Sequence, residues 1–291
     1  MSEIAATQGA PMDQPQEGRI ARSWRLTRAA WQVVRHDRSM LALAAISTLV
    51  GVVALAAMFV LAGAFDKGHL KGDELALFAL IFAYPLTFLS VFFNTAIAAS
   101  AAAALEGRHL TVGQALAVPA RKLGTVALWS LMAAVVGVVL EQLANRLPLG
   151  GSIAARLAGL GWSLASLFAV PIIALEDVSA PDALKRSAGV VKKRWGESIG
   201  GNVIIGAWMA IAIFLLVVVF AAAAVATNDV SAVRDFVIGV GVLALVAVFA
   251  LQLLVRQTFA VALYRYATDG AAQGPFAERD LRSPFGRKRG R

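Results

Sequence analysis

The sequence predicts an all-α polytopic membrane protein, with six transmembrane helices and amphipathic helices on the cytosolic side. Three observations lead there. Uncharged apolar runs recur along the chain, several of them near the roughly 20 residues that a bilayer-crossing helix needs. A mean hydropathy of +0.71 with only 15% charged residues excludes a soluble globular domain, and the segments between the runs are too short to form a second domain. Lys and Arg are also distributed unevenly. Of 27 in the chain, 22 fall before the first run, in the loops 106–122 and 176–197, and after Val255; the three intervening loops hold five. Because basic residues collect in cytosolic loops, both termini are expected in the cytoplasm. The same bias accounts for the net charge of +9 without a nucleic-acid partner.

Residues 1–18 are polar, carry Pro11, Pro15 and Gly18, and are expected to be disordered. No short apolar core with a cleavage site precedes the first long run, so that run is expected to act as the targeting signal. Residues 19–38 read as an amphipathic helix. Ile20, Trp24, Thr27, Trp31 and Val34 form one stripe, and Arg22, Arg25 and Arg28 point away from it. The spans then follow as Ser39–Phe65, Leu75–Leu105, Leu123–Leu140, Leu157–Leu175 (beginning near Gly151), one within Ser198–Asn228, and one starting at Phe236 and continuing as helix through Tyr266. The membrane domain is therefore 19–267, and 268–291 is a basic cytosolic tail.

The loop helices 111–122 and 180–195 open alike. Thr111 with Gln114, and Ser179 with Asp182, have capping-box spacing, and each is followed by Ala-Leu. In the second, Leu184, Ala188, Val191 and Trp195 make an apolar stripe opposite Lys185, Arg186, Lys192, Lys193 and Arg194. Such a helix suits an anionic membrane surface. The even spans also end alike, at Ala104-Leu105-Glu106, Ala174-Leu175-Glu176 and Ala262-Leu263-Tyr264. A threefold internal repeat is expected, each unit an amphipathic helix followed by a membrane hairpin.

Little in the chain points to chemistry. The absence of Cys excludes disulfides, thiolate metal sites and a cysteine nucleophile. Gly196-Glu-Ser198-Ile-Gly200 fits a hydrolase nucleophile pattern, but that pattern needs a strand before it; here a basic helix precedes. No metal-ligand spacing or phosphate-cradling loop is present, so no catalytic residue, metal or cofactor is expected. The polar groups at depth are Asn94, Asn202 and Gln252. Asn94 and Gln252 each lie 11 residues before a repeat leucine, Leu105 and Leu263. They suit either interhelical hydrogen bonds or a polar path. The candidate lipid-phosphate contacts are Arg22, Arg25, Arg28, Lys185, Arg186, Lys192, Lys193 and Arg194.

The stretches Ala174-Leu-Glu176, Asp182-Ala-Leu-Lys-Arg-Ser187 and Arg194-Trp-Gly196-Glu197 resemble a group of poorly characterised bacterial six-span membrane proteins. These are similar to the membrane domain joined to some glycerophosphodiester phosphodiesterases. The resemblance implies a bacterial inner-membrane location and no reaction, since the soluble catalytic barrel of those enzymes has no counterpart here. The function expected is that of a non-catalytic membrane module. Its partners would be anionic lipid headgroups, other membrane proteins or further copies of itself. The alternative is a small-molecule transporter or channel with a path near the repeat interfaces.

The charge bias makes a topological prediction. Cysteines placed at Lys71 and Asp229 should react with an impermeant thiol reagent added to intact cells, and one at Gly189 should not. Labelling at Gly189 would reverse the orientation.

Overall fold

A computed structural model describes residues 19–63, 73–146, 149–199, 217–220, 222–223, 231–270 and 272–276. The expected 1–18 tail, most of the fifth span with Asn202, and the basic end from residue 277 lie outside the described residues. The helices are α1 (Arg19–His36), α2 (Arg38–Gly63), α3 (Asp73–Leu105), α4 (Val112–Arg121), α5 (Leu123–Arg146), α6 (Leu149–Ala165), α7 (Ala169–Leu175), α8 (Ala180–Ile199) and α9 (Ser231–Asp269). There is no strand among the described residues. Among the described residues, five segments are long and apolar enough to cross a membrane: Arg38–Leu61, Leu77–Leu105, Leu123–Arg146, Gly151–Leu175 and Ala232–Asp269. Large apolar side chains on their outer faces, such as Phe59, Val60, Leu77, Phe236 and Leu243, are exposed. In a membrane protein that is the surface lipid covers.

The interior is organised on the second half of α3. Every residue from Thr95 to Ala103 is buried, because α3 packs against α2, α4, α5, α7 and α9 together. Seven of those nine residues are Ala or Ser, and their small side chains let that many backbones approach one axis. Pro85 lies within α3, which runs as helix from Asp73 to Leu105. At the other end Gly107 stops it in the left-handed conformation, φ +73°. The Gly107 N–H bonds to the Ala104 carbonyl at 3.1 Å and the Arg108 N–H to the Ala103 carbonyl at 2.9 Å. This pair of bonds is the Schellman arrangement, and it sets Glu106 at the tip of the helix.

The short helices lean on the long ones. α1 packs on α9 and α2, α4 on α3, and α8 on α6 and α7. α1 buries Leu26, Ala30, Val33 and Val34, while Arg28, Trp31 and Arg35 stay exposed. α8 buries Ala180, Ala183, Ser187 and Val191 and exposes Lys185, Arg186, Lys192 and Lys193. Its buried line runs one residue ahead of the Leu184–Ala188 stripe expected from spacing, because Ser187 is drawn inward by a hydrogen bond.

That bond sits at a break in the fourth span, which carries Pro171. Residues 166–168 are turn, separating α6 from α7. Pro171 has no N–H to give the Leu167 carbonyl four residues back, and its ring crowds that carbonyl. Within the turn, the Phe168 N–H donates to Ser187 Oγ on α8, at 3.0 Å with both residues fully buried. A backbone break inside an apolar slab is tolerated only where such a partner exists.

Beyond α9 the chain turns back onto the bundle. Gly274, φ +62°, lies so close to Leu105 that a Cβ there would come within 3.0 Å of its side chain. Phe276 is buried, its ring 6.5 Å from that of Phe259.

Replacing Ser187 with Ala removes the hydroxyl that accepts the Phe168 N–H. Loss of a buried hydrogen bond of this kind costs about 1 kcal/mol. Thermal unfolding of the detergent-solubilised protein should therefore show S187A destabilised by that order. Ala188→Ser, one position round the helix, should be close to neutral.

Candidate functional site

α3 and α7 both finish at one end of the bundle, and the polar side chains gather there. Helix α9 places two successive residues between the two helix ends. The Tyr264 hydroxyl donates to Glu176 Oε1, and Arg265 pairs with Glu106 Oε1. Glu106 Oε2 is held in turn by Arg108, and Glu176 Oε2 by Arg186 of α8 at 2.7 Å. Two carboxylates thus tie α3, α7, α8 and α9 together. Phe168 packs against the Tyr264 ring with centroids 5.9 Å apart, so the break in the fourth span lies beside the same cluster.

Lys122, between α4 and α5, reaches the end of α7. Its Nζ donates to the Ile173 carbonyl at 3.0 Å and also to the Glu176 carbonyl. An ammonium group at a helix C-terminus satisfies carbonyls that have no intrahelical donor and complements the helix dipole.

A second cluster joins the α1–α2 junction to the loop after α3. Asp37 Oδ1 accepts the N–H groups of Ser39 at 2.9 Å and Met40 at 3.3 Å, which is an N-cap on α2. Its other oxygen lies 3.2 Å from His109 Nδ1. Ser39 Oγ lies 2.6 Å from both Asp37 Oδ1 and the Leu110 carbonyl oxygen. Asp37 is 3% exposed and His109 65% exposed. Burial alone would push the Asp37 carboxyl up. The hydrogen bonds from Ser39, His109 and the Met40 and Ser39 amides outweigh it and hold the carboxyl below its ordinary value. Glu106 is also held low, chiefly by the Arg108 hydrogen bond, against a smaller opposing effect of burial and with Arg265 adding to it.

The two loop helices are capped as their spacing indicates, with one difference. At α4 both halves of the box form: the Gln114 N–H donates to Thr111 Oγ1 at 3.3 Å and the Thr111 N–H to Gln114 Oε1 at 2.9 Å. At α8 the Asp182 N–H donates to Ser179 Oγ at 3.3 Å, but the Ser179 hydroxyl itself donates to Asp182 Oδ2 at 2.6 Å. That bond, with Lys185 adding, keeps the Asp182 carboxyl low.

Deeper in the bundle, Asn94 meets Gln257. The Gln257 Nε2 donates to Asn94 Oδ1 at 2.6 Å, and Asn94 Nδ2 donates to the Ser90 carbonyl at 2.7 Å and to Ser90 Oγ at 3.1 Å. Gln252, one and a half turns earlier on α9, has a buried Oε1 with no hydrogen-bond partner among the described residues; the buried hydroxyls of Ser100 and Thr258 are in the same position. Gln257 follows Arg256 directly, so a search of uncharged runs passes over it. Of the basic candidates, Arg28, Lys185, Arg186, Lys192 and Lys193 have exposed side chains and Arg25 is half-buried. Arg186 is bound to Glu176, and Lys185 Nζ lies 3.5 Å from Asp182. Arg22 and Arg194 fall within α1 and α8. Ser198 belongs to the last turn of α8, with helix before it rather than a strand.

A model of the family described as "Family of unknown function (DUF6159)" matches residues 75–274, and this chain belongs to that family. No curated protein and no solved structure matches it.

The acid response of the Asp37 cluster has a definite sign. A carboxyl held below its unfolded value stabilises the fold fully above that value, ordinarily about 3.9, and the contribution is lost as pH falls through the lower folded value. Unfolding of the wild type followed from about pH 6 to about pH 2 should show that loss. Asp37→Asn keeps a capping side chain, so it should lower stability at neutral pH and flatten the acid limb. An unchanged acid limb would show that Asp37 carries none of it.

Proposed function

We propose that this DUF6159 protein is a non-catalytic membrane module of six spans, built as three units of an amphipathic helix followed by a membrane hairpin. The units are α1 with α2 and α3, α4 with α5 and α6–α7, and α8 with a fifth span and α9. The contact pattern supports this reading. α4 rests on α3, α8 on α6 and α7, and α1 on α9, so each amphipathic helix sits on the return helix of the preceding unit and the first closes the ring on the last. The three return helices α3, α7 and α9 also touch one another. For the third hairpin, Phe220 lies against Gly241 of α9, where an added Cβ would come within 2.7 Å of the ring.

In this reading the module lies in a bacterial inner membrane with both termini cytoplasmic. Its polar end, with the basic faces of α1 and α8, meets anionic headgroups or the cytosolic side of a membrane-protein partner, including further copies of itself.

The observation that carries the proposal is the state of Asn94. Its carbonyl oxygen takes the Gln257 amide and its NH₂ is turned back on Ser90. The most polar side chain at depth in α3 is thus used to join α3 to α9. A second reading, a solute path, is favoured by the buried oxygens of Gln252, Ser100 and Thr258, which lack partners among the described residues. Water or a solute would satisfy them.

Asn94→Leu separates the two. As an interhelical bond, its loss should cost on the order of 1 kcal/mol or less, read as a small drop in the thermal midpoint with the fold intact. Solute uptake into proteoliposomes that the wild type supports and N94L abolishes would favour the path instead.

A further inference from the structure

We infer that the chain holds one anionic phospholipid in a defined headgroup site between α4 and the end of α7. A cavity of about 370 Å³ opens there, lined by Gln114, Ala117, Val118, Arg121, Lys122 and Ala174. Four of these residues belong to α4 at positions i, i+3, i+4 and i+7, which is one face of a helix. The opposite face of α4 carries the buried residues Ala115 and Pro119 and packs on α3. The face lining the cavity is therefore not needed to hold α4 in place.

The cavity has the donors a phosphate diester needs. The Arg121 side chain is exposed and makes no ion pair among the described residues. Its planar guanidinium suits two phosphate oxygens at once. Gln114 spends its Oε1 on the Thr111 N–H, which leaves its NH₂ turned away from the cap. Lys122 is anchored by the Ile173 and Glu176 carbonyls, and an ammonium group has a third proton to give. The carboxylate of Glu176, just after α7, is already bound to Arg186 and Tyr264, so it is not left to repel an anion.

The depth points to a lipid as the source of the phosphate. Arg121 and Lys122 immediately precede the apolar segment Leu123–Arg146, which places them where headgroups meet hydrocarbon. Leu123, Leu128, Leu131 and Val135 follow on α5 with exposed side chains, a surface fit for acyl chain rather than water. Ala117, Val118 and Ala174 give the cavity an apolar floor. A soluble phosphate has no use for that floor, whereas the glycerol backbone of a lipid does. The inference rests on the lipid-surface reading above and adds to it a single stoichiometric site.

Native mass spectrometry of the full chain in detergent tests it, with phosphatidylglycerol, phosphatidylcholine and glycerol phosphate as the probes. The expected result is one retained phosphatidylglycerol per chain, with weaker retention of the other two. Arg121→Ala should weaken retention about fivefold, the effect of one basic residue near an anionic lipid. Val118→Trp should fill the cavity and abolish retention. If V118W does not fold, the Arg121→Ala arm decides alone. Equal retention by R121A, or phosphatidylcholine held as tightly as phosphatidylglycerol, overturns the site; glycerol phosphate bound as tightly as the lipid overturns the lipid assignment. The surface reading is checked separately by the salt-sensitive enrichment of anionic lipid around the protein in nanodiscs. Lys185→Ala combined with Lys192→Ala and Lys193→Ala should lower that enrichment and leave the single retained lipid in place. If the wild type shows no such enrichment but still retains the lipid, the surface reading fails and the site stands.

Discussion

Everything else in the bundle depends on how closely helices can approach the second half of α3. From Thr95 to Ala103 every residue is buried, and α3 as a whole packs on α1, α2, α4, α5, α7 and α9. Between apolar helices in lipid there is little hydrophobic gain from association, so packing at short range has to supply the attraction. Alanine and serine make that range short. A large residue at Ala98 or Ala101 would push apart several helices at once, which is why the most crowded part of the molecule is also its plainest in sequence.

Close packing of small residues is weakly specific about sliding, and the polar end supplies what it lacks. Tyr264 and Arg265 are neighbours on one helix and reach carboxylates on two others. Both conditions are met at only one position of α9 along its axis. Arg265 and Glu106 are 22% and 29% exposed, so their attraction is screened and worth roughly 1 kcal/mol or less. Their role is to set register, with the free energy coming from the packing above. The Asn94–Gln257 bond lies deeper on the same two helices and agrees with that register.

The break at residues 166–168 shows the same division of labour in the fourth span. Pro171 cannot continue the helical bonding to Leu167, and Ser187 of α8 accepts the Phe168 N–H within the resulting turn. A helix that spacing alone assigns to a membrane surface thereby gives one face to the interior. Lys122 does the equivalent from the α4 side, by capping α7. The loop helix α8 and the α4–α5 junction thus both supply polar partners to the backbone of the fourth span.

The sequence by itself marked the five spans found among the described residues. The starts of α2, α3 and α5 and the far ends of α3, α7 and α9 lie within a few residues of where charge-free runs place them, because a bilayer excludes charge along about 20 residues and leaves a plain record of it. Capping at Thr111 and Ser179 was equally legible, since a cap is decided within four residues. Only the tertiary structure decided which polar groups meet. The glutamates ending α3 and α7 were visible as a repeated motif, yet nothing local says that the third member of that motif, Tyr264, binds the second, or that Arg265 beside it binds the first. Asn94 was picked out at the right depth, but its partner is Gln257 rather than Gln252. Equal spacing from a repeated leucine measures height along one helix, whereas a hydrogen bond also depends on the rotation and tilt of two. The cavity beside Arg121 is likewise a product of two elements more than 50 residues apart, and no single segment encodes it.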